Sequence, residues 1–229
     1  MLLRHSVFHE ALFPADLSGV ESFDRDKQDF ALRRMVHFSV PPSTVLHDIP
    51  LILFDTETTG LDSELDRIIE FGALKIVGGK VVDEFWSFVR TDIELTQNII
   101  NLTGITQPML EGQPEISEVL PKFLKFINGS IIVAHNAEFD MSMLKAAGNR
   151  LGFEIQWPCF CTLKLARKAL PGLPRYNLDT LAEHFKLTFE ARHRAVGDVK
   201  VLNGVLQQIL EDDELGITTW GDVSDCVVA

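Results

Sequence analysis

Two carboxylates close an apolar run near residue 50, and no other feature restricts the fold of this chain as much. The run is Leu51-Ile52-Leu53-Phe54, followed by Asp55-Thr56-Glu57-Thr58-Thr59-Gly60-Leu61. Leu51 to Phe54 predict a buried β-strand, and side chains at i and i+2 of a strand share a face. Asp55 and Glu57 therefore converge at the strand's end. Two carboxylates this close repel each other, and burying them unpaired is costly. A bound divalent cation relieves both penalties, and oxygen ligands suit Mg²⁺ or Mn²⁺. On this segment alone, a strand running into a polar turn is an equal reading.

Composition narrows the class. A chain of 229 residues, 46% hydrophobic and 24% charged, fits one globular domain with extensions. No apolar stretch approaches the ~18–20 residues of a membrane span, and the first residues lack the apolar core of a secretory signal. No membrane partner is expected. The three cysteines, Cys159, Cys161 and Cys226, fit a reducing cytoplasm better than a disulfide scaffold. Cys159 and Cys161 have no second ligand pair at zinc spacing. The net charge of −12 argues against a protein that coats nucleic acid nonspecifically. Half of that excess lies in Glu211, Asp212, Asp213, Glu214, Asp222 and Asp225, a stretch without Lys or Arg, so a local basic surface remains open.

Residues 1–47 lack a clear period and read as an N-terminal extension, with a short helix over Asp26 to Val36 that Pro41-Pro42 prevents from continuing. Regular patterning begins at Ile49. Leu51 to Glu57, Ile68 to Val77 and Lys80 to Val89 read as strands, the last two joined at Gly78-Gly79. Helical spacing links Ile116, Val119, Leu120, Phe123 and Ile127. Ile131 to Ala134 is a short buried strand, followed by a helix to about Leu151. Thr162 to Leu170 is helical, and Asn177 caps a helix reaching about Phe185. Ala195, Val199, Leu202, Leu206 and Ile209 mark a final helix. The pattern predicts a mixed sheet covered by helices. The core domain spans 48–212, and 213–229 reads as an acidic tail.

Two further segments carry candidate chemistry. In Val133-Ala134-His135-Asn136-Ala137-Glu138-Phe139-Asp140, Asp140 shares a helical stripe with Leu144, Ala147 and Leu151 and so faces inward. A carboxylate complementing the helix dipole is the other explanation for it. In His193-Arg194-Ala195-Val196-Gly197-Asp198, His193 and Asp198 would point roughly 140° apart on one continuous helix. They face one site only if His193 lies in the loop before the helix. A loop histidine titrating near ~6.5 can act as a base at neutral pH; a solvated surface histidine is the alternative.

Taken together and in order, Asp55-x-Glu57-Thr58-Thr59-Gly60-Leu61, His135-Asn136-x-x-Phe139-Asp140 and His193-x4-Asp198 resemble the DnaQ-like (DEDDh) 3′–5′ exonucleases, a family that includes the DNA polymerase III epsilon subunit and ribonuclease T. Leu102-Thr103-Gly104-Ile105-Thr106 matches a further element of that family. The tyrosine subgroup carries Tyr-x3-Asp, whereas the single tyrosine here, Tyr176, has Thr180 at the later position; Tyr176 is expected to be a packing or surface residue. The resemblance covers about residues 50–210. It implies an α/β, ribonuclease H-like fold with a central mixed β-sheet flanked by helices. It implies two divalent ions, Mg²⁺ or Mn²⁺, held by Asp55, Glu57, Asp140 and Asp198, with His193 as general base. Thr58, Gly60, Leu61, His135, Asn136 and Phe139 would hold the terminal nucleotide.

The implied reaction removes nucleoside 5′-monophosphates from single-stranded 3′ ends. DNA proofreading or repair beside a DNA polymerase or replication complex is the leading context, and RNA 3′-end trimming is the alternative. Lys145, Arg150, Lys164, Arg167, Lys168 and Arg175 are candidates to meet the incoming strand, or else form solvated helix faces. Two other classes stay in view: a metal-dependent phosphatase, for which His193-x4-Asp198 has no place, and a catalytically silent nucleic-acid-binding module.

Overall fold

The computed structural model describes residues 40–152, 154–190 and 192–228; the helix expected over Asp26 to Val36 lies outside them. Its frame is a six-stranded sheet, built from β1 (Leu51–Thr58), β2 (Ile68–Val77), β3 (Lys80–Phe88), β4 (Ile131–Ala134), β5 (Cys159–Cys161) and β6 (Val227–Val228) in the order β3-β2-β1-β4-β5-β6. β1 lies at the centre, antiparallel to β2 and parallel to β4. β2 and β3 form the expected hairpin. Gly78 and Gly79 have φ of 57° and 69°, the paired positive values that a two-residue turn needs to match strand twist. β5 runs parallel to β4 and β6 antiparallel to β5, so the sheet is mixed.

Alternation along β1 distributes its side chains between two helical layers. Leu51 and Leu53 join Leu74, Ile131 and Val133 under α5 (Thr162–Ala169), α6 (Leu178–His184) and α7 (Ala195–Leu210). Ile52 and Phe54 point the other way, to α3 (Ile116–Ile127) and α4 (Ala137–Arg150). On that second face Phe54, Phe71 and Phe123 pack with centroids 4.7 to 5.9 Å apart, within the range of favourable aromatic pairing. Period 2 continues past Phe54. Asp55 and Glu57 inherit the α7 side, and Thr56 the α4 side.

α7 reaches β2 through a close approach. A Cβ on Gly72 would lie 2.4 Å from the Ala195 carbonyl carbon, so only glycine lets the start of α7 rest on the strand. Two short helices, α1 (Gln97–Thr103) and α2 (Gln107–Leu110), bridge β3 to α3. Between them Gly104 ends α1 at φ 70°, and Ile105 is fully buried beside Ile69 and Phe88.

Packing continues across both expected domain edges. In the 213–229 stretch, α8 (Trp220–Val223) and β6 pack on the core, with Val223 and Cys226 buried and Val228 opposite Cys159. Residues 42–46 fasten that stretch down. The Trp220 N–H donates to the Thr44 carbonyl at 2.8 Å, Gly221 to Pro42 at 2.8 Å and Leu46 to Thr218 at 2.9 Å. Leu46 is buried in the α7-side core. Acidic residues here occupy solvent-facing positions between buried ones, so charge count alone concealed the packing.

A boundary at 47/48 therefore cuts through a structural strap. Deleting residues 1–46 removes roughly 2 kcal/mol of Leu46 burial and about 3 kcal/mol of net hydrogen bonding from the three bonds. The melting temperature should fall by roughly 10–20 °C, read by circular dichroism. A chain shortened only to Val40 keeps all these contacts; equal melting of the two shortened forms would show that the strap contributes nothing.

Candidate active site

The end of β1 and the start of α7 place three carboxylates together. One oxygen each from Asp55, Glu57 and Asp198 lies within 4.8 Å of the others. Asp198 is in the first turn of α7, and His193 precedes that helix in a turn, as the angular argument required. His193 adopts φ 56°, a left-handed conformation uncommon for a non-glycine residue, costing about 1–2 kcal/mol.

Asp140 does not join the set of three. It enters from α4, on the opposite side of β1, and its Oδ1 accepts from the Thr56 N–H at 3.1 Å and the Thr56 hydroxyl at 2.8 Å. Strand parity explains this: Thr56 points to the α4 face that Asp55 and Glu57 avoid. The Asp140 charge still reaches both acids.

The field of the site favours added positive charge. Burial, with the charges of Asp140, Glu57 and Asp198, pushes the Asp55 carboxyl well above the usual carboxylate range. Burial and then Asp198 push Glu57 up to about 8. Burial raises Asp140 to about 7 against its Thr56 hydrogen bonds, and raises Asp198 against the pull of Arg192. His193 is shifted below the usual histidine value by partial burial and by the Arg192 charge, which leaves a neutral ring near neutral pH.

Arg192 is the one cation of the described residues hydrogen-bonded to the carboxylate trio. It donates to Asp198 Oδ2 at 2.6 Å and to the two Asp179 oxygens at 2.6 and 2.9 Å. Asp198 Oδ1 is buried and has no hydrogen-bond partner among the described residues. An orphaned carboxylate oxygen, beside two acids raised by burial and then by neighbouring negative charge, fits a hard divalent cation and its all-oxygen donor set.

A pH-dependent test follows from the signs. Glu57 and Asp140 have folded values of about 8 and 7, above their ordinary 4.5 and 3.8. Their neutral forms therefore contribute stability that is complete below the ordinary values and lost as pH rises through the folded ones. In EDTA the protein should lose stability from about pH 4 to pH 8. Mn²⁺ at about 100-fold above its dissociation constant should restore about 2.7 kcal/mol, a gain of roughly 5–10 °C at pH 8 that shrinks toward pH 5. A melting temperature insensitive to Mn²⁺ at pH 8 would count against a cation site.

The remaining sequence candidates scatter around this centre. The Thr58 hydroxyl donates to the Gly60 carbonyl at 2.6 Å. Gly60 makes room for Asp66, whose carboxylate would lie 2.4 Å from an added Cβ. Asp66 in turn accepts from the Thr59 hydroxyl at 2.8 Å and the Asp62 N–H at 2.9 Å, so this loop folds on itself. Its tip leaves Leu61 86% exposed, an apolar side chain with little protein to pack against. Asn136 is exposed at φ 61°, and Phe139 is half-buried against the α4-side core.

His135 is a tie rather than an open ligand. Its Nδ1 lies 3.0 Å from the Thr162 hydroxyl and its Nε2 2.8 Å from the Tyr176 carbonyl, and burial lowers its value to about 4. Facing a carbonyl, Nε2 carries the proton of a neutral ring. Tyr176 packs on the α7-side core and donates to the Leu170 carbonyl at 2.9 Å, the expected packing role. Three of the six basic candidates are engaged: Lys164 with Glu138 at 3.3 Å, Lys168 with Asp225 at 3.0 Å, and Arg150 with the Ser63 and Glu64 carbonyls. Sequence reasoning passed over Thr56, Asp66, Glu70, Arg192 and Arg194. Arg192 and Arg194 flank His193, and that adjacency was the available signal.

Residues 52–206 match the RNase T family, described as an exonuclease. The chain is 42% identical over 178 residues to a DNA polymerase III PolC-type protein of Caldanaerobacter subterraneus subsp. tengcongensis, covering 77% of this chain and 13% of that one. It thus spans about an eighth of such PolC-type relatives. It is 38% identical over 168 residues to a DNA polymerase III subunit epsilon of Aquifex aeolicus, covering 73% of this chain and 83% of the relative. Exonuclease X in complex with 5′ overhanging duplex DNA superposes with a TM-score of 0.63 at 28% identity, over 76% of this chain and 98% of that one. The nuclease domain of 3′hExo, a DEDDh family member bound to rAMP, gives 0.65 at 20% identity, over 74% and 95% of the respective chains, and supports the ribonuclease H-like fold.

Proposed function

We propose that this chain, which belongs to the DnaQ-like (DEDDh) exonuclease family, hydrolyses phosphodiester bonds from the 3′ end of a single strand and releases nucleoside 5′-monophosphates. The observation that carries the proposal is the carboxylate trio, gathered within 4.8 Å, with Asp198 Oδ1 buried and without a partner among the described residues. Asp55, Glu57 and Asp198 would hold divalent metal, Mg²⁺ or Mn²⁺, and Asp140 would support a second ion. When bound, such ions would supply a water of lowered pKa and positive charge to offset the negative charge developing on the phosphate.

The chain's own groups do the rest. His193 takes a proton from the attacking water on an imidazole nitrogen kept neutral by its surroundings. Thr56 fixes Asp140 in rotation through two hydrogen bonds. Leu61, exposed at the loop tip, and Phe139 present apolar surface to base faces, a contact that tolerates any sequence. Thr58 and Gly60 shape that loop, Asn136 meets the terminal nucleotide, and His135 anchors the end of β4 from which Asn136 projects.

DNA is the substrate favoured by the naming of the relatives as DNA polymerase III components, and a polymerase assembly is the matching partner. The test incubates matched DNA and RNA oligonucleotides with Mn²⁺ and identifies the products by chromatography. Nucleoside 5′-monophosphates formed faster from DNA support the proposal. A preference for RNA would move the function to 3′-end trimming, and 3′-monophosphate products would overturn the chemistry.

A further inference from the structure

Glu70 lies in β2, opposite Glu57 in the strand register, and it is fully buried. Both of its oxygens are occupied. Arg194 donates to Oε1 from Nη2 at 2.8 Å and from Nε at 3.1 Å, and its Nε is also 3.1 Å from Oε2. The Ala195 N–H donates to Oε2 at 3.1 Å, and the Trp86 indole N–H to Oε1 at 2.7 Å. Arg194 also stands over the Phe88 ring, 5.1 Å from its centroid. Apolar side chains of similar volume can hold two elements together as well as a buried ion pair does. A carboxylate–guanidinium fork adds direction, because it is planar and its geometry is fixed.

That direction is spent on one short segment. Arg194 follows His193, whose left-handed backbone must be imposed by its surroundings. Ala195 opens the helix that carries Asp198. Gly72, two residues along β2, lets Ala195 sit against the strand. Residues 193–195 are therefore held by the fork on one side and by close packing on the other.

We propose that Glu70 is a positioning residue that, through Arg194 and the Ala195 N–H, sets the placement of His193 and Asp198 toward Asp55 and Glu57. This role rests on the function proposed above for those four residues. It predicts that loss of the Glu70 charge loosens the site without unfolding the protein or altering contact with the nucleic-acid strand.

The test compares the full-length wild type with Glu70→Gln, Arg194→Lys and the Glu70→Gln/Arg194→Gln double variant. Glu70→Gln should lower kcat by ~10–100-fold and weaken Mn²⁺ binding, measured by calorimetry, by about 10-fold, as loss of a group orienting metal ligands does. KM for the oligonucleotide should stay within about twofold, since no substrate contact is removed. Arg194→Lys, which keeps the charge but loses the fork, should fall between wild type and Glu70→Gln. The double variant should be no worse than Glu70→Gln, because both changes break one connection.

A folded Glu70→Gln protein with wild-type kcat and Mn²⁺ affinity would overturn the inference. So would a loss confined to KM, or one that merely tracks the folded fraction. If Glu70→Gln fails to fold, Arg194→Lys decides: lowered kcat with unchanged melting supports the role, and wild-type kcat overturns it. If the wild type shows no metal-dependent hydrolysis, the proposed function fails, while the Mn²⁺ affinities still judge Glu70 independently.

Discussion

Replacing Asp55 with Asn should reduce hydrolysis by about 10²–10³-fold, the scale on which active sites lose rate when a charge-stabilising group is removed, and should leave the fold intact. The two halves of the prediction have one cause. Asp55 is held among Asp140, Glu57 and Asp198, which together with burial push its carboxyl well above the usual range. In the absence of cations that carboxylate opposes folding above its ordinary pKa, so a neutral amide of the same shape costs nothing or stabilises. With cations, the same replacement removes a charged ligand oxygen. Asp198→Asn should lose activity equally, and melting should change less, because Arg192 retains its two contacts to Asp179. Melting curves in EDTA and a nuclease assay on one preparation check both halves. Substantial activity in either variant would remove the carboxylate trio from the mechanism.

His193→Asn should lower kcat by roughly 10²–10⁴-fold, the range for a lost general base, with little change in Mn²⁺ affinity. Asparagine is the informative replacement because it tolerates the left-handed backbone that His193 occupies at φ 56°. Alanine at that position would mix loss of the base with strain in the turn. A large loss of Mn²⁺ binding in His193→Asn would make His193 a ligand and not a base. In the active wild type, kcat should fall on the acid side as the imidazole is protonated. That limb should lie below the ordinary histidine range, because burial and Arg192 favour the neutral ring.

Much of the arrangement is legible in the sequence where a short-range rule decides it. Alternation in Leu51 to Phe54 fixes the parity of Asp55 and Glu57, and Gly78-Gly79 specifies the β2–β3 turn. The angular mismatch between His193 and Asp198 requires the loop that the structure contains. Where a longer-range fact decides, the sequence is silent. β5 has three residues and β6 two, too few to display a period. α1 and α2, of seven and four residues, complete barely two turns and one. Thr56 has the parity to face away from Asp55, yet its meeting with Asp140 depends on α4 packing on that face of the sheet. Glu70 and Arg194 are 124 positions apart, so no local pattern pairs them. The residues 42–46 strap is likewise invisible, because its backbone hydrogen bonds go to residues 218–221 at the far end of the chain.

The most direct measurement of the central claim follows a 5′-labelled single-stranded DNA oligonucleotide through digestion with Mg²⁺ or Mn²⁺. A site that removes one nucleotide at a time from the 3′ end should yield a descending ladder of labelled products. The ladder should vanish in EDTA and with Asp55→Asn. Immediate release of the label as a mononucleotide, cleavage at internal positions, or an undiminished ladder in EDTA would contradict it.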